Sequence, residues 1–410
     1  ARPRPFAQTS LALDNLRGIV ILIVLAFHSA LAYVGWIKAS PAAFDSPPFQ
    51  WQAFPIVDPD RFIGFDLFCA WQDVYLMALM FFLSGLFVWP SLQRKRSWAF
   101  LRDRLLRLGI PYLVGIAIVI PVALYPAYEV NAADPSIAGY WRALLALPFW
   151  PNGPMWFLWQ LLVLNVIAAF VHAVAPKALP ALGRRCAAAA KRPLSFFVVL
   201  LLASALAYGP LAVAFTPWRW FNWWIVALQL CRPLQYAVYF FAGVGIGAAG
   251  IENGLLAPNG PLATRWALWS AAALACLAVW MGLTELTLDG DASLGITIAA
   301  DLAYVPACAA GCFFLIAVTL RFAVGYSPIL GTLGANAYGL YLLHYIFVVW
   351  MQYALMAAPL PAVIKALIVF GVTVVLTFIA VDALQRSPLG ARLIGSARQR
   401  FGAFEPSAPR

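Results

Sequence analysis

The sequence predicts an all-α integral membrane protein with about ten transmembrane helices, and three observations carry that prediction. First, 64% of the 410 residues are hydrophobic and only 10% are charged, with a mean hydropathy of +0.84, far from the balance of a soluble domain. Second, the apolar runs reach about 18 to 22 residues, the length a helix needs to cross a hydrocarbon core of about 30 Å. Third, those runs are continuous and lack the period-two alternation of a membrane β-barrel.

In chain order the spans fall near residues 16–37, 72–91, 108–127, 155–175, 194–214, 233–250, 264–285, 297–321, 333–356 and 362–383. The sixth has two readings, because FTPWRWFNWWIVALQLCRPLQYAVYFFAG also suits an interfacial aromatic segment followed by a shorter helix. Placing both termini in the cytoplasm puts 21 of the 27 Lys and Arg residues on that side, as the positive-inside rule requires. The net charge of +11 therefore belongs to topology, and no nucleic-acid partner is expected. The first apolar run is followed by no small-residue cleavage site, so it is expected to stay as a span. The expected organisation is a single membrane domain over 1–385, with an outer loop at about 38–71, a basic cytoplasmic segment at about 92–107 and a basic tail over 386–410.

Six cysteines show no CxxC or paired-ligand spacing, so neither a disulfide framework nor a metal site is expected. Walker loops, GxSxG elbows and HExxH helices are absent from the sequence, which removes support for the common soluble hydrolases, NTPases and metalloproteases.

Chemistry must come from the few polar groups inside the spans. RGIVILIVLAFH (17–28) ends in Arg17 and His28. Eleven α-helical steps bring the two within about 20° of one azimuth and about 16 Å apart along the axis. Arg17 sits at the boundary, where it can snorkel; His28 lies inside the span, either as a functional base or as a neutral imidazole bonded between helices. That separation also resembles the reach of a pantetheine arm. QRKRSWAFLRDRLLRLGIPY (93–112) carries Arg102, Arg104 and Arg107, suited to phosphate through bidentate bonds or to topology and anionic lipid. By α-helical periodicity Arg104 and Arg107 share a face.

Elsewhere, Ser84 and Gly85 in FFLSGLF permit close helix packing. Trp156 and Trp159 in GPMWFLWQL are belt or pocket-wall residues. YGLYLLHY places Tyr341 and His344 on one face, with His344 either a second base or a structural hydrogen-bond partner, while His172 reads as incidental. The outer loop mixes aromatics and acids, which suits either a carbohydrate or an interfacial cap; Asp66 within it and Asp73 just after it are candidate acceptor contacts.

RGIVILIVLAFH, FFLSG, Arg104-Leu-Leu-Arg107 followed by Pro111, PMWFL and YGLYLLH, in this order, resemble the acyltransferase-3 family of integral-membrane O-acyltransferases. The SGLF and RLGIPY layout is similar to the branch that succinylates periplasmic glucans. The resemblance implies a multi-pass protein of the bacterial inner membrane. It implies transfer of an acetyl or succinyl group from acyl-CoA, as co-substrate and without a metal, to a glycan or glucan hydroxyl. Carried over by position, Arg17 and His28 are the essential pair, and Arg104 and Arg107 serve the donor. The hydrolase-like domain that some members of the family carry is not expected here. The other reading is a proton-coupled transporter or flippase that uses His28 and His344 as a relay. The oligomeric state is open.

Overall fold

A computed structural model of the chain describes residues 5–37, 43–252, 254–288 and 290–394. Arg2, Arg4, Lys38, Asp289, Arg398, Arg400 and Arg410, with most of the expected tail, lie outside the described residues.

The helices are α1 (Pro5–Ala30), α2 (Ile63–Gly85), α3 (Val88–Arg104), α4 (Ile110–Val114), α5 (Ile120–Glu129), α6 (Ile137–Ala146), α7 (Trp156–Val174), α8 (Ala178–Ala187) and α9 (Pro193–Phe215). A two-stranded antiparallel hairpin follows, β1 (Trp220–Trp223) with β2 (Val226–Gln229), in the register Trp220↔Gln229 and Trp223↔Val226. The chain then continues through α10 (Pro233–Ala249), α11 (Pro261–Thr264), α12 (Trp266–Glu285), α13 (Leu294–Phe322), α14 (Pro328–Leu355), α15 (Ala362–Gln385) and α16 (Pro388–Ile394). Among the described residues nine helical runs are long and apolar enough to cross a membrane, with Val88–Glu129 counted as one. The protein is an all-α integral membrane protein.

One boundary and one winding differ from the expected ones, and the two readings of span six are separated. α10 has only 17 residues and follows a hairpin whose Trp220, Phe221 and Trp223 are exposed, which is the second reading of span six. α2 starts at Ile63 rather than near 72. Asp66 and Asp73 lower the hydropathy of its first turns, but each carboxylate has a partner, so the helix continues through them. Asp66 accepts from the Gly35 and Trp36 N–H groups at 2.9 to 3.1 Å, and Asp73 pairs with Arg232. The basic segment is helical, broken at Arg96 (φ 60°, ψ 166°) and wound as π turns over Leu105–Gly109 and Gly115–Val119. A π turn advances by i to i+5 bonds, so the α-periodicity that aligned Arg104 with Arg107 does not carry through.

The chain divides into two compact units. Unit one comprises Ala1–Leu16, Leu67–Leu105 and Trp156–Tyr326. Within it α10 approaches α2 at backbone distance. A Cβ on Gly85 would lie 2.1 Å from the Phe240 carbonyl oxygen, and one on Gly243 or Gly247 would lie 2.1 Å from that of Phe82 or Leu86. This is close packing of small residues, which replaces the hydrophobic drive that lipid removes. Asn15 donates to the carbonyls of Ala323 and Gly325 at 2.8 and 2.9 Å, satisfying orphan acceptors where α13 ends.

Unit two comprises Arg17–Asp66, Leu106–Met155 and Ser327–Arg410. Its helices α14 and α15 pack on each other, and α14 also packs on α5. α1 runs parallel to α14: a Cβ on Gly18 would lie 2.5 Å from the Leu330 carbonyl oxygen, and Gln352 Nε2 donates to the His28 carbonyl at 2.8 Å. The loop before α2 is clamped to the start of α15. Lys365 Nζ donates to both Asp58 carboxylate oxygens at 3.0 Å and to Asp60 at 2.8 Å. Phe44 stacks on Trp51 at 4.2 Å and both are buried, so these rings of the loop face each other as a cap.

Lys365 and Asp58 are fully buried, and removing one partner leaves the other as an uncompensated charge. Lys365→Ala is expected to destabilise unit two by about 3 kcal/mol, read as a lower melting temperature in detergent; an unchanged melting temperature contradicts the clamp.

Candidate active site

The site in unit two begins with the α1 and α14 register. Gly18 lets the two backbones approach, and ten residues further along α1 the same contact brings His28 to α14. His344 Nε2 lies 3.3 Å from His28 Nδ1, with ring centroids 4.9 Å apart. Tyr345 presents its ring edge-on to His28 at 5.6 Å. His344 is fully buried, and Tyr341, Tyr345 and Gln352 are nearly so.

Hydrogen-bond chemistry assigns the tautomers. His344 Nδ1 is 2.7 Å from the Tyr341 carbonyl oxygen. A carbonyl only accepts, so this nitrogen carries the proton and Nε2 holds a lone pair. His28 Nδ1 is 2.9 Å from the Val24 carbonyl oxygen and also faces the His344 Nε2 lone pair, so it carries the proton as well. In the neutral ring the lone pair of His28 is then on Nε2. The arrangement can accept a proton at His28 Nε2 and spread the resulting charge toward one carbonyl and one imidazole.

A turn formed by residues 150–155 packs on α14. Tyr341 donates its hydroxyl to the Pro154 carbonyl. Gly153 has φ +46°, and a Cβ there would lie 2.6 Å from Ile120 Cδ1 and 3.1 Å from Tyr345 Cε1; only glycine fits. Asn152 accepts from the Tyr112 hydroxyl at 2.8 Å and donates to the Trp150 carbonyl at 2.9 Å. Trp150 Nε1 donates to the Ile116 carbonyl at 2.8 Å, within the second π turn, whose backbone the wider winding offers to side chains.

The other candidates fall in several places. Arg17 is half-buried on α1, about 16 Å along the helix from His28. Arg107 is exposed in the first π turn, and its carbonyl accepts from the Tyr338 hydroxyl. Asp66 is used in capping the end of the α1 segment. Arg102, Arg104, Ser84, Trp156 and Asp73 belong to unit one. There Arg104 lies over the Phe100 ring at 4.9 Å, Trp156 stacks with Tyr236 at 6.0 Å, and Ser84 is half-buried beside Gly85. His172 accompanies Ser97 at 2.7 Å. Sequence reasoning missed Gln352, Tyr345 and Asn152. Only Asn152-Gly153-Pro154 left a signal, as a turn tripeptide.

The fold and this cluster define a multi-pass membrane protein with an imidazole pair set between two helices. The acyltransferase domain family matches residues 10–382, a range that contains every candidate residue named above, and the chain belongs to that family. It is a membrane-bound acyltransferase, an enzyme that transfers acyl groups. No curated protein and no solved structure matches it.

The tautomers have a spectroscopic readout. The chain has three histidines, and 15N imidazole spectra of the neutral protein, assigned with His172→Asn, are expected to show both His28 and His344 protonated at Nδ1 and bare at Nε2. A proton on Nε2 of either ring contradicts the assignment.

Proposed function

We propose that the chain moves an acetyl or succinyl group from a cytoplasmic acyl-CoA to a hydroxyl of a glycan, with a periplasmic glucan as the fitting acceptor, across the bacterial inner membrane with both termini cytoplasmic. The observation that carries this reading is the His28–His344 contact, which leaves the His28 Nε2 lone pair as a base held in an apolar span.

His28 Nε2 takes the proton of the acceptor hydroxyl as its oxygen attacks the thioester carbonyl. The imidazolium is stabilised by the Val24 carbonyl and the His344 lone pair. Collapse of the tetrahedral intermediate breaks the C–S bond, and the departing thiolate takes the proton back from His28, which restores the base. His344 and Gln352 act as positioning residues: one sets the ring's tautomer, the other holds the backbone that carries it. Arg17, Arg102, Arg104 and Arg107 serve the donor through charge-assisted bonds to its phosphates. A transient acyl-histidine is the variant of this scheme in which His28 itself attacks.

With labelled acetyl-CoA or succinyl-CoA and envelope glycans as acceptor, His28→Ala is expected to lower transfer at least about 100-fold at normal membrane levels; retained turnover would falsify the assignment. His344→Gln is expected to lower kcat about tenfold with little change in donor KM. The pair Arg104→Ala and Arg107→Ala should behave in the opposite way, raising donor KM about tenfold and sparing kcat. Unchanged donor KM returns those arginines to a topological role. Mass spectrometry of glycans from cells with and without the protein identifies the group from the mass shift.

A further inference from the structure

Unit one holds a nucleophile and base that the acyl-transfer scheme does not use. Ser97 on α3 and His172 near the end of α7 sit on helices that pack on each other within this unit. Ser97 Oγ lies 2.7 Å from His172 Nδ1, inside the reach of about 2.6 to 3.2 Å that joins an activated nucleophile to its base. Trp89 meets the imidazole at 5.8 Å with an interplanar angle of 68°, so a third group fixes the ring.

Other serines are spent differently. Ser29 and Ser270 donate to main-chain carbonyls one turn back, at 2.7 and 2.9 Å. Ser136 and Ser327 accept from N–H groups of the helix starts they cap, at 3.0 and 3.2 Å. Both are the ordinary local bonds of a serine in a helical protein; Ser97 meets an imidazole from another helix instead.

Its surroundings admit a reagent. Ser97 and His172 are each half-buried, and Arg96, Trp98 and Ala99 beside the serine are exposed, so the hydroxyl is reachable from water. The helix breaks at Arg96 and resumes at Ser97. A helix start presents main-chain N–H groups without partners inside the helix and the positive end of the dipole, which favour an alkoxide and the oxyanion that forms when it attacks a carbonyl. Asp103, the acid of this segment, pairs with Lys95 at 3.0 Å, and the exposed Arg94 and Arg96 leave the local charge positive, which attracts an anionic reagent.

We propose that Ser97 is an acyl-accepting nucleophile that takes an acyl group from an anionic acyl thioester, with His172 as its base. The hydroxyl proton passes to His172 Nδ1 as Oγ bonds to the thioester carbonyl carbon. The C–S bond then breaks, and the leaving thiolate takes the proton from Nδ1. The products are an O-acyl-serine and a free thiol. The identity of the thioester rests on the acyl-CoA reading above; the nucleophile does not.

The full chain in detergent is treated with a tagged fluorophosphonate, which modifies activated serines and needs no acyl donor. One tag is expected on the peptide that carries Ser97, with none in Ser97→Ala and a rate about 100-fold lower in His172→Gln. Glutamine still accepts the serine's hydrogen bond but is no base, so a purely structural bond predicts unchanged labelling in that variant. His172→Gln also carries the test if Ser97→Ala does not fold. Radiolabelled acetyl-CoA or succinyl-CoA is expected to leave its acyl group on the same peptide. The proposal is overturned if the fluorophosphonate spares Ser97 in folded wild-type protein, if His172→Gln is labelled as fast as wild type, or if Ser97 is tagged yet accepts neither acyl group. Whether acyl-CoA is the donor at His28 is decided separately, by the glycan transfer assay.

Discussion

The parallel contact of α1 and α14 is the constraint on which the candidate active site depends. Gly18 sets the spacing at one end, since any Cβ there would strike the Leu330 carbonyl. Gln352 sets the register at the other by reaching the His28 carbonyl. Between them two imidazoles meet at 3.3 Å. In lipid there is no hydrophobic force to press helices together, so close backbone approach and a few polar bonds must supply the order. The groups that hold these helices are therefore neighbours of the groups assigned to the chemistry.

The same economy governs the rest of both units. An ionisable group in a span or at its edge is tolerable only with a partner, and most here have one that also ties distant segments. Asp73 joins α2 to Arg232, 159 residues away. Lys365 joins α15 to Asp58, 307 residues away. Asp66 caps the chain leaving α1. Against that background the Oδ2 of Asp301 is one of several buried side-chain atoms, Arg232 Nε among them, with no hydrogen-bond partner among the described residues.

The pattern of apolar runs decided the fold class, most of the spans and the weakness of span six, because hydropathy and helix period are local properties. It also singled out His28 and His344, since an ionisable residue in an apolar run is conspicuous by itself. The ordered motifs pointed to the family that residues 10–382 match. The start of α2 was misplaced for the converse reason: Asp66 and Asp73 look like loop residues until their partners are known.

What only the tertiary structure decided is the pairing. No local signal links His28 to a residue 316 positions away, identifies Gln352 as the holder of its backbone, or distinguishes Asp73, which is matched by a buried arginine, from Asp301, whose Oδ2 is unmatched. The α-periodic face joining Arg104 and Arg107 likewise gave way to a π turn that the sequence pattern does not announce. Sequence determines which groups are costly to bury; packing determines which of them meet, because a bond across hundreds of residues is chosen by helix contact and not by spacing along the chain.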